Sequence, residues 1–346
     1  MKTTNEQLTD WIINRIKQDF KGEVGLLIGE ETYKLDSDVG RTAMSFFFPA
    51  SEKANFLART FIIDGIGYDL FPMSWERMER IAGLEEDNAP VILSARILYA
   101  EKEKDKSRFM EIQSILKKNL ADVHYTYQKA LEKTVIAMEL HQNMLFEDTL
   151  YKSREASGHI IMYLSHAVAY TNQAFLKHGH ISLISDLSSM KYIPQDYIKL
   201  IQAIVDAESI EGLRKQCYTL ILNTRRYLEE MKAKDEKPAR NQNFHNLAGW
   251  YHELSYYWRE IYYYCETGET VKALIRSCYL QNELDIVSEE FGLGELDLLR
   301  SFDPHGLSSF HQRAKALEKQ IRAIITEHGA AIDEYNSISD FLAKNG

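Results

Sequence analysis

Residues 59–80, RTFIIDGIGYDLFPMSWERMER, leave the backbone few choices. Residues 60–63 read as a strand of β-branched and aromatic side chains. Asp64-Gly65 is the dipeptide of a tight hairpin turn, because both positions accept positive φ angles. Residues 66–71 read as the returning strand, with Asp69 inside it. Pro72 ends that strand, Ser74 is placed to cap a helix, and residues 75–82 continue it. A chain with this stretch must build a sheet. A carboxylate in mid-strand is costly unless something charged pairs with it, and a metal ion is the natural candidate.

Partners for such an ion stand upstream, in Leu35-Asp36-Ser37-Asp38-Val39. This segment lies between two apolar runs that read as strands, residues 24–29 ending in Gly29 and residues 43–48. Asp36 and Asp38 are one residue apart, so in an extended chain they point to the same side. With Asp69 on a neighbouring strand they would complete a carboxylate cluster. Hard cations such as Mg²⁺ take oxygen ligands and bridge carboxylates to substrate phosphates, the arrangement that phosphoryl or nucleotidyl transfer uses, with one ion or two.

The order strand, Gly29, short loop, Asp36-Ser37-Asp38, strand, strand-borne Asp69 resembles the nucleotidyltransferase superfamily in its aminoglycoside (kanamycin-type) and minimal forms. The resemblance covers roughly residues 22–103, and GIGYDLFPMSWER is similar to bacterial members with a long helical C-terminal part. It implies transfer of a nucleoside monophosphate from a nucleoside triphosphate such as ATP, with Mg²⁺, to a hydroxyl-bearing acceptor, either a small molecule such as an aminoglycoside or a protein. It also implies Asp36, Asp38 and Asp69 as metal ligands and catalytic residues, and Gly29, Lys34, Ser37 and Arg41 as residues that hold the nucleotide. The family's general base comes from the helical half, where Glu155 is the candidate. Asn172 and Phe175 match part of a helical Leu-Asn-x-x-Tyr/Phe element further along. Two departures stand out. Glu30 occupies the position where the family has a small hydroxyl residue, and a glutamate there would repel phosphate. The acids also fit two registers: in one, Asp36 and Asp38 are the metal pair; in the other, Ser37-Asp38-Val39-Gly40 matches the family's Ser-Asp-hydrophobic-Asp, and Gly40 replaces a ligand.

The expected class is α+β: a small mixed-sheet domain over residues 1–103, then a large all-α helical-bundle region over 104–346, with a sub-boundary near 233–241. The 346 residues suit two or three domains. Helical signals run through 4–20, 109–144, 149–178, 194–206, 210–232, 246–265, 269–290, 308–328 and 338–344, and the six prolines are few for this length. A net charge of −10 argues against a protein whose main task is to coat nucleic acid. Three cysteines without a Cys-x-x-Cys pair argue against a disulfide framework. The first residues are polar and no run reaches the length of a membrane span, so the expected location is the cytoplasm. A homodimer is compatible with the chain.

Two further constellations carry alternatives. Arg240-Asn241-Gln242-Asn243-Phe244-His245 resembles the R-x4-H signature of helical HEPN ribonucleases, which implies a toxin–antitoxin-type module. The aromatic residues from Trp250 to Tyr264 suit base stacking or, by default, helix packing. His159, His166 and His178 are too far apart for a metal site of their own, and His166 reads as a hydrogen-bonded core residue. The other reading of the N-terminal acids is a degenerate nucleotidyltransferase-like binding protein without turnover, which Glu30 and Gly40 favour.

Overall fold

In a computed structural model that describes residues 2–34, 42–232 and 240–345, the chain divides into two compact units, residues 1–235 and 236–346. The fold is α+β. The first unit opens with helix α1 (Thr4–Asp19), held at its start by a capping box in which Thr3 and Glu6 each satisfy the other's backbone N–H. A five-stranded mixed sheet follows, built from β1 (Leu26–Lys34), β2 (Thr42–Pro49), β3 (Arg59–Ile63), β4 (Ile66–Met73) and β5 (Arg96–Ala100). The strand order is β3-β4-β2-β1-β5. β2 and β4 run parallel, with Phe46 beside Leu70 and Phe47 beside Phe71; the other neighbouring pairs are antiparallel. The β3–β4 turn has the expected geometry, with Asp64 and Gly65 both at positive φ.

Side-chain alternation gives the sheet two different faces. Leu27, Met44, Phe46, Phe48, Tyr68 and Leu70 pack against Leu8, Ile12 and Ile16 of α1. Leu26, Ile28 and Phe47 point the other way, into a core shared with the helices that follow. Those begin with α2 (Trp75–Ala82), capped by Ser74, and α3 (Ala89–Leu93), a short turn of helix just before β5. Next come α4 (Glu103–Ala121), α5 (Val123–Met144), α6 (Leu150–Thr171), α7 (Leu183–Ser189), α8 (Tyr197–Val205) and α9 (Ile210–Lys232). One hydrophobic cluster runs from Leu26 to Leu228. The charge-dense 101–106 stretch therefore marks a turn from sheet to helices and not a gap in packing.

A single residue separates α4 from α5. Asp122 ends the first helix and caps the second, accepting the Tyr125 N–H at 3.0 Å. The helical signal over 149–178 stops earlier than its pattern suggests. Asn172 caps α6 with its side chain, which donates to the carbonyls of Val168 and Tyr192 and accepts the Tyr192 N–H. That residue is engaged in closing the helix, not in presenting a polar group to a ligand.

The second unit comprises α10 (Phe244–Thr267), α11 (Thr270–Phe291), α12 (Ser308–Glu327) and α13 (Ile338–Asn345). Gly268, at φ +72°, closes α10 and turns the chain into α11. Its core contains Tyr251, Trp258, Ile261 and Tyr262, so the aromatic run mainly packs helices.

Candidate functional site

Asp69 does not sit inside an apolar run once the strand is folded. It alternates with buried Tyr68 and Leu70, is exposed, and accepts a hydrogen bond from Thr60 Oγ1 at 3.0 Å. The premise that only a cation could make this position tolerable is therefore corrected by the alternation of β4. The location is still informative. Asp69 lies on the sheet face of Phe71, whose ring stacks on Phe47 at 5.6 Å. One step back along β2 on that face is Ser45, which pairs across β1 with Glu30; across β3, Asp69 pairs with Thr60. Glu30, Ser45, Asp69 and Thr60 thus form a polar row across four adjacent strands, at the sheet end where residues 35–41 connect β1 to β2.

Glu30 is the unusual member. It is 5% exposed, and burial pushes its carboxyl from the ordinary 4.5 up to about 7. A phosphate meeting the protonated form would find a hydrogen-bond donor instead of a charge. Gly29, expected to hold nucleotide, has a packing role. Its backbone pairs with Phe46 on one side and Arg96 on the other, and a Cβ added there would lie 2.5 Å from Leu98 Cδ1 and 3.0 Å from Met44 Sδ. Asp36, Asp38, Ser37 and Arg41 lie outside the described residues. Lys34 is the last residue of β1, paired with Thr42. Among the described residues no three His, Cys, Asp or Glu side chains assemble a metal site.

Glu155, the candidate general base, is tied up locally. It is exposed in the first turns of α6, ion-paired with Lys152 at 2.8 Å, and that lysine holds its carboxyl below the usual range. A tie between α6 and the loop joining α2 to α3 is made by Tyr170, about 22 Å along the helix axis from Glu155. A carboxylate stabilised in its ionised form by a lysine is a weak proton acceptor.

The charged residues that composition and motif did not single out are the buried ones. Lys133, 5% exposed on the apolar face of α5, meets Asp87 Oδ2 at 2.8 Å. Tyr170 donates to Asp87 Oδ1 at 2.8 Å, and His166 Nδ1 lies 3.9 Å from the same oxygen. Burial lowers the His166 pKa, which keeps the ring neutral. Asp87 belongs to the acidic 84–88 loop, whose Glu86 is gripped by Arg77 and Arg80 of α2. In the second unit, Glu318 accepts hydrogen bonds from Tyr251 at 2.7 Å, Tyr262 at 2.6 Å and Arg259. Both networks had a readable signal, a charged residue at a core position of a helix: Lys133 between Ala130 and Ala137, Glu318 between Ala314 and Ile321.

A cleft of about 1070 Å³ lies on the opposite sheet face from Asp69, between the start of α1 and residues such as Glu31, Met44, Tyr68 and Arg96. Four of its wall charges form two ion pairs, Lys2 with Asp10 and Arg96 with Glu31. In the 240–245 motif, Asn241 bonds Glu290 at 2.6 Å, Asn243 accepts the His245 N–H as the cap of α10, and Arg240 lies against the α-carbon of Gly292. These residues start a helix and fasten it to the end of α11. No helix among the described residues is long and apolar enough to cross a membrane.

No family model matches the sequence, and no curated protein does. Among solved structures the chain is similar to a nucleotidyltransferase-like protein from Exiguobacterium sibiricum, at 13% sequence identity and a TM-score of 0.34, over 66% of this chain and 81% of the other.

Proposed function

We propose that the chain transfers a nucleoside monophosphate from a nucleoside triphosphate to a hydroxyl-bearing acceptor, a small molecule such as an aminoglycoside or a protein, with Mg²⁺. The observation that supports this reading is the polar row: Asp69 on β4 and Glu30 on β1 flank β2 at the sheet end where the loop bearing Asp36 and Asp38 departs. Asp69 offers an accessible hard oxygen, so with Asp36 and Asp38 it would hold the ion. The ion would neutralise charge on the triphosphate. Glu30, when protonated, would donate to a phosphate oxygen, and Thr60 would fix the orientation of the Asp69 carboxyl.

The second reading, a protein that binds nucleotide without turnover, is favoured by one observation: Glu30 titrates near neutrality, so above pH 7 it presents a negative charge to the phosphates. Incubation with α-labelled nucleoside triphosphate, Mg²⁺ and candidate acceptors tests the first reading. Label transfer that disappears in Asp69→Ala while the unfolding midpoint holds supports it. Undiminished transfer in that variant removes Asp69 from the chemistry, and nucleotide binding without transfer favours the second reading.

A further inference from the structure

Residues 84–88 join α2 to α3 in a conformation the backbone does not favour. Gly83 ends α2, and Leu84 takes the next place at φ +54°, where the Glu85 N–H reaches back to the Arg80 carbonyl. Glycine is the usual residue at that place in a helix ending, because a Cβ there crowds the backbone. Leu84 is held in it with its side chain fully buried. The other end of the segment is fastened by one carboxylate. Asp87 accepts from Lys133 of α5 on one oxygen and from Tyr170 of α6 on the other, both at 2.8 Å.

His166 completes the joint. It stands one turn before Tyr170, and its Nδ1 lies 3.9 Å from Asp87 Oδ1, the oxygen that Tyr170 occupies. The joint therefore contains one carboxylate and two bases. Lys133 already neutralises Asp87, so a proton on His166 leaves net positive charge where both bases are buried. The surroundings supply no second acid at ion-pair distance among the described residues. Across from α6, α5 also carries Glu132 and Tyr125, which act on Tyr170. The Tyr163 ring of α6 lies 5.7 Å from Lys133 Nζ. From α8 and α9 come the hydroxyls of Tyr197 and Tyr227, which meet Ser165 and Thr171.

We propose that Asp87, Lys133, Tyr170 and His166 form an acid-operated latch, in which proton uptake by His166 releases residues 84–88 from α5 and α6. The proton comes from solvent and converts imidazole to imidazolium; no covalent bond to the chain changes. Two cations then compete for one carboxylate, and release lets Leu84 leave its positive φ. Arg77 and Arg80 hold Glu86 to α2, so the released segment stays tethered there. Burial lowers the His166 pKa from its ordinary 6.5, Asp87 opposes this and Lys133 adds to it. The latched form thus binds the proton less well than the open form. Opening is favoured as pH falls below about 6.5, by up to about tenfold per pH unit for one proton. The latch uses no residue of the polar row and stands apart from the nucleotidyl-transfer reading.

Hydrogen exchange of the full chain tests it, read at the amides of Leu84, Glu85 and Asn88, which are bonded in the latched segment. Corrected for intrinsic rates, the opening constant is expected to rise about tenfold in the wild type between about pH 7.5 and about pH 5. It is expected to stay level in His166→Asn, whose amide takes no proton in that range. Other groups that titrate there act on both chains alike. Followed by NMR, the titration midpoint of the His166 ring is expected to move up in Lys133→Met, where the rival cation is gone. A wild-type segment whose opening ignores pH, a His166→Asn chain that opens with acid as the wild type does, or a His166 midpoint that ignores Lys133→Met overturns the proposal. Should Lys133→Met fail to fold, the comparison with His166→Asn decides alone.

Discussion

Glu30 and Glu318 are the same residue type at nearly the same burial, 5% and 7% exposed, and they do opposite things. Glu318 sits in mid-helix with two tyrosine hydroxyls and a guanidinium converging on its oxygens. Three donors offset the desolvation that a buried carboxylate suffers, so the group acts as a tie between α10 and α12. Glu30 sits at the fringe of a sheet, where burial raises its pKa towards neutrality. Burial alone therefore does not decide what a buried acid does to stability. The supply of donors does.

The sharpest way to break this contrast is to remove the tie. Glu318→Ala leaves the hydroxyls of two buried tyrosines without their acceptor and should cost about 2–4 kcal/mol, read as an early unfolding transition in urea. If the variant unfolds with the wild type, Glu318 is no tie. Glu30→Gln should act in the other direction and only at higher pH. Because the folded pKa is raised, the native state holds its proton more tightly than the unfolded chain, and stability falls as pH rises from about 4.5 through about 7. The neutral variant escapes that loss, so it should exceed the wild type by about 3 kcal/mol at pH 8 and match it at pH 4. A parallel pH dependence in both chains would remove Glu30 as the titrating group. Gly29→Ala tests whether the glycine serves packing: a Cβ pressed against Leu98 and Met44 should cost about 1–3 kcal/mol, with nucleotide affinity unchanged in the folded fraction by calorimetry. The smallest effect on stability belongs to Asp69→Ala, within about 0.5 kcal/mol, since the side chain is exposed with a neutral partner. A large loss of stability there would make Asp69 a second Glu318.

The strands, their turn and most helices were legible because each has a local cause. Asp64-Gly65 fixes the hairpin, Ser74 fixes the start of α2, and Gly268 fixes the corner between α10 and α11. Asp69 was singled out for a reason that the fold corrects: an acid that looks embedded in sequence is outward-facing when side chains alternate. What stayed hidden depends on residues far apart in the chain. Nothing near Gly29 announces that Leu98 will press on it. Nothing near Asp87 announces Lys133 and Tyr170, 46 and 83 positions away. Glu30 reads as a repelling charge until burial is known, and burial is a property of the assembled sheet.

Asp122 sets more than a corner. Because it is at once the C-cap of one helix and the N-cap of the next, no slack exists there to absorb a change in length. One inserted residue would rotate everything downstream in α5 by about 100° and would present Glu132 to Asp87 in place of Lys133, an acid facing an acid in the interior. Length variation among chains that share this architecture should therefore collect in surface connections such as 145–149 and avoid this junction altogether.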